Sequence, residues 1–123
     1  DLQVLPFGNK EFDIVYSSHT LEHFSKEEVP KVLKEWIRIL RDDGELRLIL
    51  PNIMWAAQEL VNGHYSEDVF NVLYGAQTFN ENFHKFGFFP ENLKEILTKF
   101  GFKTIKMEFQ GYNIICRAWR IKI

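Results

Sequence analysis

Apolar positions along the chain change period several times, and each change marks a predicted element. Glu11–Ser18, EFDIVYSS, is β-branched and aromatic with little alternation, so it predicts a strand covered on both faces. Val29, Val32, Leu33, Trp36, Ile37 and Leu40 then follow the i, i+3, i+4, i+7 spacing of one helical face. Ser25 and Glu28 form a capping-box pattern ahead of that helix, and Pro30 falls in its first turn, where a missing N–H costs little. Gly44 closes the helix, and Glu45–Leu50, ELRLIL, predicts a second buried strand that stops at Pro51.

Asn52 can cap a helix that buries Ile53, Ala56, Ala57, Leu60 and Val61 and ends at Gly63. Ser66 can cap another, with Val69, Phe70 and Leu73 inward. Residues 74–89, YGAQTFNENFHKFGFF, have no clean period and predict a structured loop or lid. Pro90 suits a first helical position, Leu93, Ile96, Leu97 and Phe100 form a stripe, and Gly101 ends it. Residues 102–109, FKTIKMEF, alternate as a half-covered strand, Gly111 and Asn113 mark a turn, and residues 114–123, IICRAWRIKI, supply a last strand. The two form an antiparallel hairpin, so the order strand–helix–strand–helices–helix–hairpin predicts an α/β layered fold with a parallel pair and one reversed strand. No repeat, linker or low-complexity tract divides residues 1–123, which read as a single domain.

Composition narrows the function classes. Hydrophobic residues make up 46% and charged residues 26% of 123, as in ordinary globular domains. A net charge of −2 argues against nucleic-acid or polybasic membrane binding. No apolar run has the length of a membrane span, and no secretory leader is visible. Cys116 is the lone cysteine, which fits a reduced, cytoplasmic setting and an inert core thiol. The chain begins at Asp1 rather than Met, so a preceding portion is expected.

Three runs carry a family resemblance: LPFGNKEFDIVYSSHTLEHF, LKEWIRILRDDGELRLILPN and NLKEILTKFGF. Together they resemble class I S-adenosylmethionine-dependent methyltransferases of the small-molecule type. The resemblance covers essentially the whole chain but only the second half of the family's fold. It implies a Rossmann-like α/β sheet, truncated, with strands equivalent to 4-5-7-6 in space, strand 7 being the antiparallel one, and flanking helices. The usual proline-glycine-glycine turn is Asp42-Asp43-Gly44 here. The Gly-rich cofactor loop and the ribose-binding acid are not in this sequence, which contains no G-x-G. Ligands of open α/β sheets bind where the strand order reverses, so only one wall of that pocket is present.

By the same resemblance the cofactor is S-adenosylmethionine, which this chain alone is expected to bind weakly or not at all. Asp1 matches the acid that binds the adenine amine, and Leu2 lies beside the ring. Ser17, Ser18 and His19 border the methionine part, and His23 is the histidine of the family's LEH motif. Methyl transfer mainly needs a positioned acceptor and a base, and histidine is the natural base near neutral pH. His19, at the pocket mouth, and His84, in the lid, are the catalytic candidates, with an exposed loop position as the plainer reading of His84. Gln77, Asn80 and Asn82 can orient a polar acceptor or satisfy loop backbone, and Phe79, Phe83, Phe86, Phe88 and Phe89 can wall a pocket or fill core. Glu22 is read as fixing a turn, and His64 as a solvated helix end.

His19–His23 also spells H-x-x-E-H, a zinc-protease signature. That chemistry needs both histidines on one helical face and a third ligand. The pentapeptide lies between a strand end and a helix cap, so a turn is expected, and nothing singles out Glu91, Glu95 or Glu108 as the third ligand. No metal is expected; a zinc site at His19/His23 is the alternative. The expected activity is methyl transfer to a small-molecule acceptor. The contrasting reading is a non-catalytic fragment or oligomerising module, in which the bare apolar strand 12–18 pairs with a second copy, as a dimer, or with an N-terminal partner.

Overall fold

A computed structural model describes residues 3–123 of the chain, the side chain of Asn80 excepted. A four-stranded sheet organises it: β1 (Phe12–Ser18), β2 (Leu40–Pro51), β3 (Thr104–Gln110) and β4 (Asn113–Trp119), in the spatial order β1-β2-β4-β3. β1 runs parallel to β2, and β4 is antiparallel to both β2 and β3. This is the 4-5-7-6 arrangement with a reversed strand 7 that the family resemblance implied. Four helices connect the strands: α1 (Glu28–Ile39), α2 (Ile53–Val61), α3 (Glu67–Tyr74) and α4 (Pro90–Lys99).

Local chemistry sets the helix starts. Glu28 N–H donates to Ser25 Oγ at 3.2 Å, and Ser25 N–H to Glu28 Oε1 at 2.9 Å, the reciprocal capping box ahead of α1. Asn52 Oδ1 accepts from Met54 N–H at 3.0 Å and Ser66 Oγ from Val69 N–H at 3.2 Å. Pro90 opens α4, and Asn92 Oδ1 accepts the Phe89 N–H at 2.8 Å.

The core lies on one side of the sheet. Leu46, Leu48 and Leu50 of β2 and Ile114, Cys116 and Ala118 of β4 face Val29, Val32, Leu33 and Trp36 of α1 and Leu93 and Leu97 of α4. Burial pushes the Cys116 thiol up to about 12, so it is inert. The other face corrects the expectation that the first strand is covered on both sides: Ile14 and Tyr16 of β1 are 50% and 58% exposed. In register with them stand Glu45 and Arg47 of β2 and Arg117 of β4, a charged row rather than a second apolar layer. Glu45, Arg47 and Ile49 alternate with the three leucines, so that face could never have been uniformly apolar.

Two further expectations shift. Asp42-Asp43-Gly44 is drawn into β2 as an irregularity: the pairing jumps from Phe12↔Leu40 to Ile14↔Glu45. Gly44 is needed there for space, since a Cβ would stand 2.8 Å from the Asp13 carbonyl oxygen. Helix α2 buries only Ala56 fully, against Val69 and Val72 of α3, and Leu60 and Val61 stay exposed. No described helix is long and apolar enough to cross a membrane.

Candidate active site

The sheet delivers His19 to its carboxyl end. His19 N–H still donates to the Ile49 carbonyl at 2.9 Å, in line with the β1–β2 ladder, but its φ is +54°. That left-handed conformation is uncommon outside glycine and turns the chain sharply off the strand. One turn of 3₁₀ helix, Leu21–His23, follows, so H-x-x-E-H is a strand-to-helix turn and not a continuous α-helix.

The lid is fastened to this turn. Lys85 N–H donates to the Glu22 carbonyl at 2.8 Å, and His84 N–H to the Tyr74 carbonyl at 3.0 Å. Gly75, at φ +81°, makes the close approach possible, because a Cβ there would sit 2.1 Å from the Asn82 carbonyl oxygen. His84 is thereby carried against Glu22 and His23, with the His23 and His84 rings edge to face at 4.9 Å. His19, Glu22, His23, Asn82 and His84 line one cavity of about 220 Å³, together with Asp68 and Asn71 from α3 and Tyr112 from the hairpin turn.

Both catalytic candidates, His19 and His84, therefore reach one site. The residue the sequence reading undervalued is Glu22, which was assigned to turn structure and stands at the centre. Its side chain is 1% exposed, and three imidazole nitrogens surround Oε2: His19 Nδ1 at 3.7 Å, His23 Nε2 at 3.8 Å and His84 Nε2 at 3.9 Å. Neither carboxylate oxygen has a hydrogen-bond partner of full geometry among the described residues. Burial pushes the Glu22 carboxyl up to about 7, with slight relief from its own backbone N–H. Burial also lowers the His19 and His84 imidazoles, reinforced at His19 by neighbouring His23; at His84 the Val72 carbonyl partly opposes the shift.

The remaining candidates separate. Ser17 is buried and Ser18 exposed at the end of β1, beside a second cavity of about 270 Å³ lined by Leu5, Val15, Thr20 and Trp36 among others. That hollow falls short of the about 300–1,000 Å³ of a complete ligand pocket. Asp1 and Leu2 lie outside the described residues, as does the Asn80 side chain. Gln77 Nε2 donates to the Tyr74 carbonyl and Asn82 Nδ2 to Thr78 Oγ1, the loop-satisfying alternative. Phe88 is core, packed on Phe86 at 4.6 Å, whereas Phe79 and Phe83 are exposed; none of the lid phenylalanines lines the histidine cavity. His64 pairs with Glu59 at 3.2 Å on an exposed helix end, as expected. Glu91, Glu95 and Glu108, the distant ligands considered for zinc, are absent from the cavity wall.

A family model described as a methyltransferase domain matches residues 1–48. No curated protein matches the chain. Among solved structures, a SAM-dependent methyltransferase of Thermotoga maritima is similar at TM-score 0.65 and 19% identity, over 98% of this chain and 61% of that one. Another from Archaeoglobus fulgidus gives 0.62 and 19%, over 95% and 62%. The 1,6-didemethyltoxoflavin-N1-methyltransferase of Burkholderia thailandensis, holding S-adenosylhomocysteine, gives 0.61 and 14%, over 95% and 47%. At these identities the structural likeness establishes the fold. The chain spans about three fifths of the length of the first two structures. Over residues 1–48 it thus matches a methyltransferase domain model, and its fold resembles that of S-adenosylmethionine-dependent methyltransferases.

Proposed function

We propose that this chain is the carboxyl-terminal portion of a class I methyltransferase domain whose parent protein moves a methyl group from S-adenosylmethionine to a small molecule. The observation that carries the reading is the strand order β1-β2-β4-β3 with β4 reversed, which sets the carboxyl end of β1 at the open edge of the sheet beside a histidine-lined cavity. S-adenosylmethionine, when bound, supplies an electrophilic methyl carbon. Ser17 and Ser18 border its methionine part, and His19 and His23 stand at the rim between it and the acceptor, with Asp1 and Leu2 assigned to the adenine. His19 is the general base: it is the more exposed of the two candidates, and burial holds it neutral and able to take a proton from the acceptor at pH 7. His84, tied to Val72, is the second candidate for that role.

Calorimetric titration of the chain with S-adenosylmethionine tests this. Binding that His19→Asn weakens by about tenfold supports it, asparagine being a residue that tolerates positive φ. No heat up to millimolar cofactor favours the non-catalytic fragment, and binding that His19→Asn leaves unchanged contradicts the placement of His19 beside the cofactor.

The exposed Ile14 and Tyr16 on edge strand β1 favour one further reading, a module that completes its sheet by pairing Phe12–Ser18 with a second copy. Light scattering should then show a dimer that Ile14→Lys with Tyr16→Lys dissociates; a wild-type monomer counts against it.

A further inference from the structure

Buried carboxylates are almost always paired, so the unpartnered Glu22 requires a physical account. The second nitrogen of each neighbouring ring supplies one. His23 Nδ1 lies 3.0 Å from the Phe83 carbonyl oxygen, and His84 Nδ1 lies 3.0 Å from the Val72 carbonyl oxygen. A carbonyl only accepts, so both Nδ1 atoms carry a proton, and the Nε2 of each ring is the atom that faces Glu22. With the rings carrying only that proton and the carboxyl ionised, three acceptor atoms converge with no donor among them. Their separations of 3.8 and 3.9 Å from Oε2 are too long for a proton shared with the carboxylate.

A cation of larger reach fits that gap. One ligand atom from each of Glu22, His23 and His84 lies within 4.8 Å of the other two. A tetrahedral ion with bonds of about 2.0–2.2 Å holds its ligand atoms about 3.3–3.6 Å apart, so an inward shift of under about an ångström closes the site. Backbone carbonyls on the outer ring nitrogens are the partners that metal-bound histidines use to fix their tautomer. Two imidazoles and one carboxylate suit a zinc-class ion and disfavour magnesium or calcium, which prefer all-oxygen sites.

We propose that Glu22, His23 and His84 bind one divalent transition-metal ion of the zinc class, with an open coordination position toward the cavity they line. The assignment differs from the H-x-x-E-H alternative in its ligands: Glu22 is a ligand, His84 of the lid completes the set, and His19 remains outside it. Because the ion fastens the lid to the turn after β1, binding also stabilises the folded chain. None of this depends on the methyl-transfer reading, and its test uses no cofactor.

The full chain, stripped with chelator, is titrated with Zn²⁺ and, for spectroscopy, with Co²⁺. The expected result is about one equivalent bound per chain, a visible Co²⁺ spectrum of a four-coordinate site, and a Tm that rises with metal concentration. Glu22→Gln, nearly the same shape, should lower affinity at least tenfold, as should His84→Ala, while His64→Ala on the exposed helix end should match wild type. The proposal is overturned by substoichiometric binding to wild type, or by Glu22→Gln that stays folded by circular dichroism and binds as tightly. If Glu22→Gln fails to fold, His23→Asn and the imidazole signature of the zinc absorption edge decide in the same way.

Discussion

Two carboxylates are buried among the described residues, and the sheet treats them in opposite ways. Glu45 stands on the charged face of β2, 7% exposed, with Arg47 Nε at 2.6 Å and Arg117 Nη2 at 3.0 Å. The Arg117 guanidinium, with help from Arg47, holds its carboxyl below the usual range. Glu22, 1% exposed at the sheet's carboxyl end, has no hydrogen-bond partner of full geometry among the described residues, and burial raises its carboxyl against slight relief from its own backbone N–H. A group that merely cements a fold is satisfied where it stands, as Glu45 is. One left short of a cation in a cavity is poised for something that is not part of the chain.

The largest effect should come from the turn that builds the second environment. Gly75→Ala forces a Cβ into the Asn82 carbonyl at positive φ and should destabilise the protein by about 2–4 kcal/mol in urea unfolding. It should weaken metal binding as well; a variant as stable as wild type would mean that the lid tolerates another path.

Charge removal should then act in opposite directions at the two sites. Glu45→Gln strips two arginines of their partner and should cost about 1–2 kcal/mol, the lower figures being favoured because Arg47 and Arg117 are 39% and 47% exposed. Glu22→Gln removes an unpaired buried charge and should stabilise the metal-free protein by about 1 kcal/mol. Chemical denaturation in chelator measures both, and effects of the same sign would end the contrast.

Smaller still, Arg47→Ala and Arg117→Ala should each cost under about 1 kcal/mol. Each should couple to Glu45→Gln in a double-mutant cycle and not to Glu22→Gln.

Acid unfolding gives the last difference. The Arg38 guanidinium and the Leu5 N–H hold the Glu35 carboxyl down to about 2. A carboxyl held below its unfolded value adds stability that is fully present above that value, near 4.5, and is lost as pH falls through the folded one. Stability should therefore decline between pH about 4.5 and 2, and Glu35→Gln should flatten that decline; an unchanged profile would deny the pairing.

The sequence disclosed what short range determines. Ser25 with Glu28, Asn52, Ser66 and Pro90 announced their helix starts because a cap acts within three residues. The strand order followed from the family resemblance. The open face of the sheet was legible too, in the alternation of Glu45 and Arg47 with Leu46 and Leu48, but the apolar look of EFDIVYSS obscured it. The cavity was half legible: H-x-x-E-H flagged His19, Glu22 and His23, and His84 stood out as the lid's histidine. What joins them is tertiary. The hydrogen bond from Lys85 N–H to the Glu22 carbonyl and the positive φ at Gly75 bring His84 across the fold, and no local pattern encodes that distance.

The tautomers of His23 and His84 test most directly whether Glu22 sits among acceptors with no donor. Long-range ¹H–¹⁵N NMR of the metal-free chain at neutral pH reads each ring nitrogen. The predicted result is a protonated Nδ1 and a bare Nε2 on both rings, with the Nε2 resonances moving when Zn²⁺ is added. Imidazolium rings carrying protons on both nitrogens, ion-paired to Glu22 and indifferent to Zn²⁺, would contradict it.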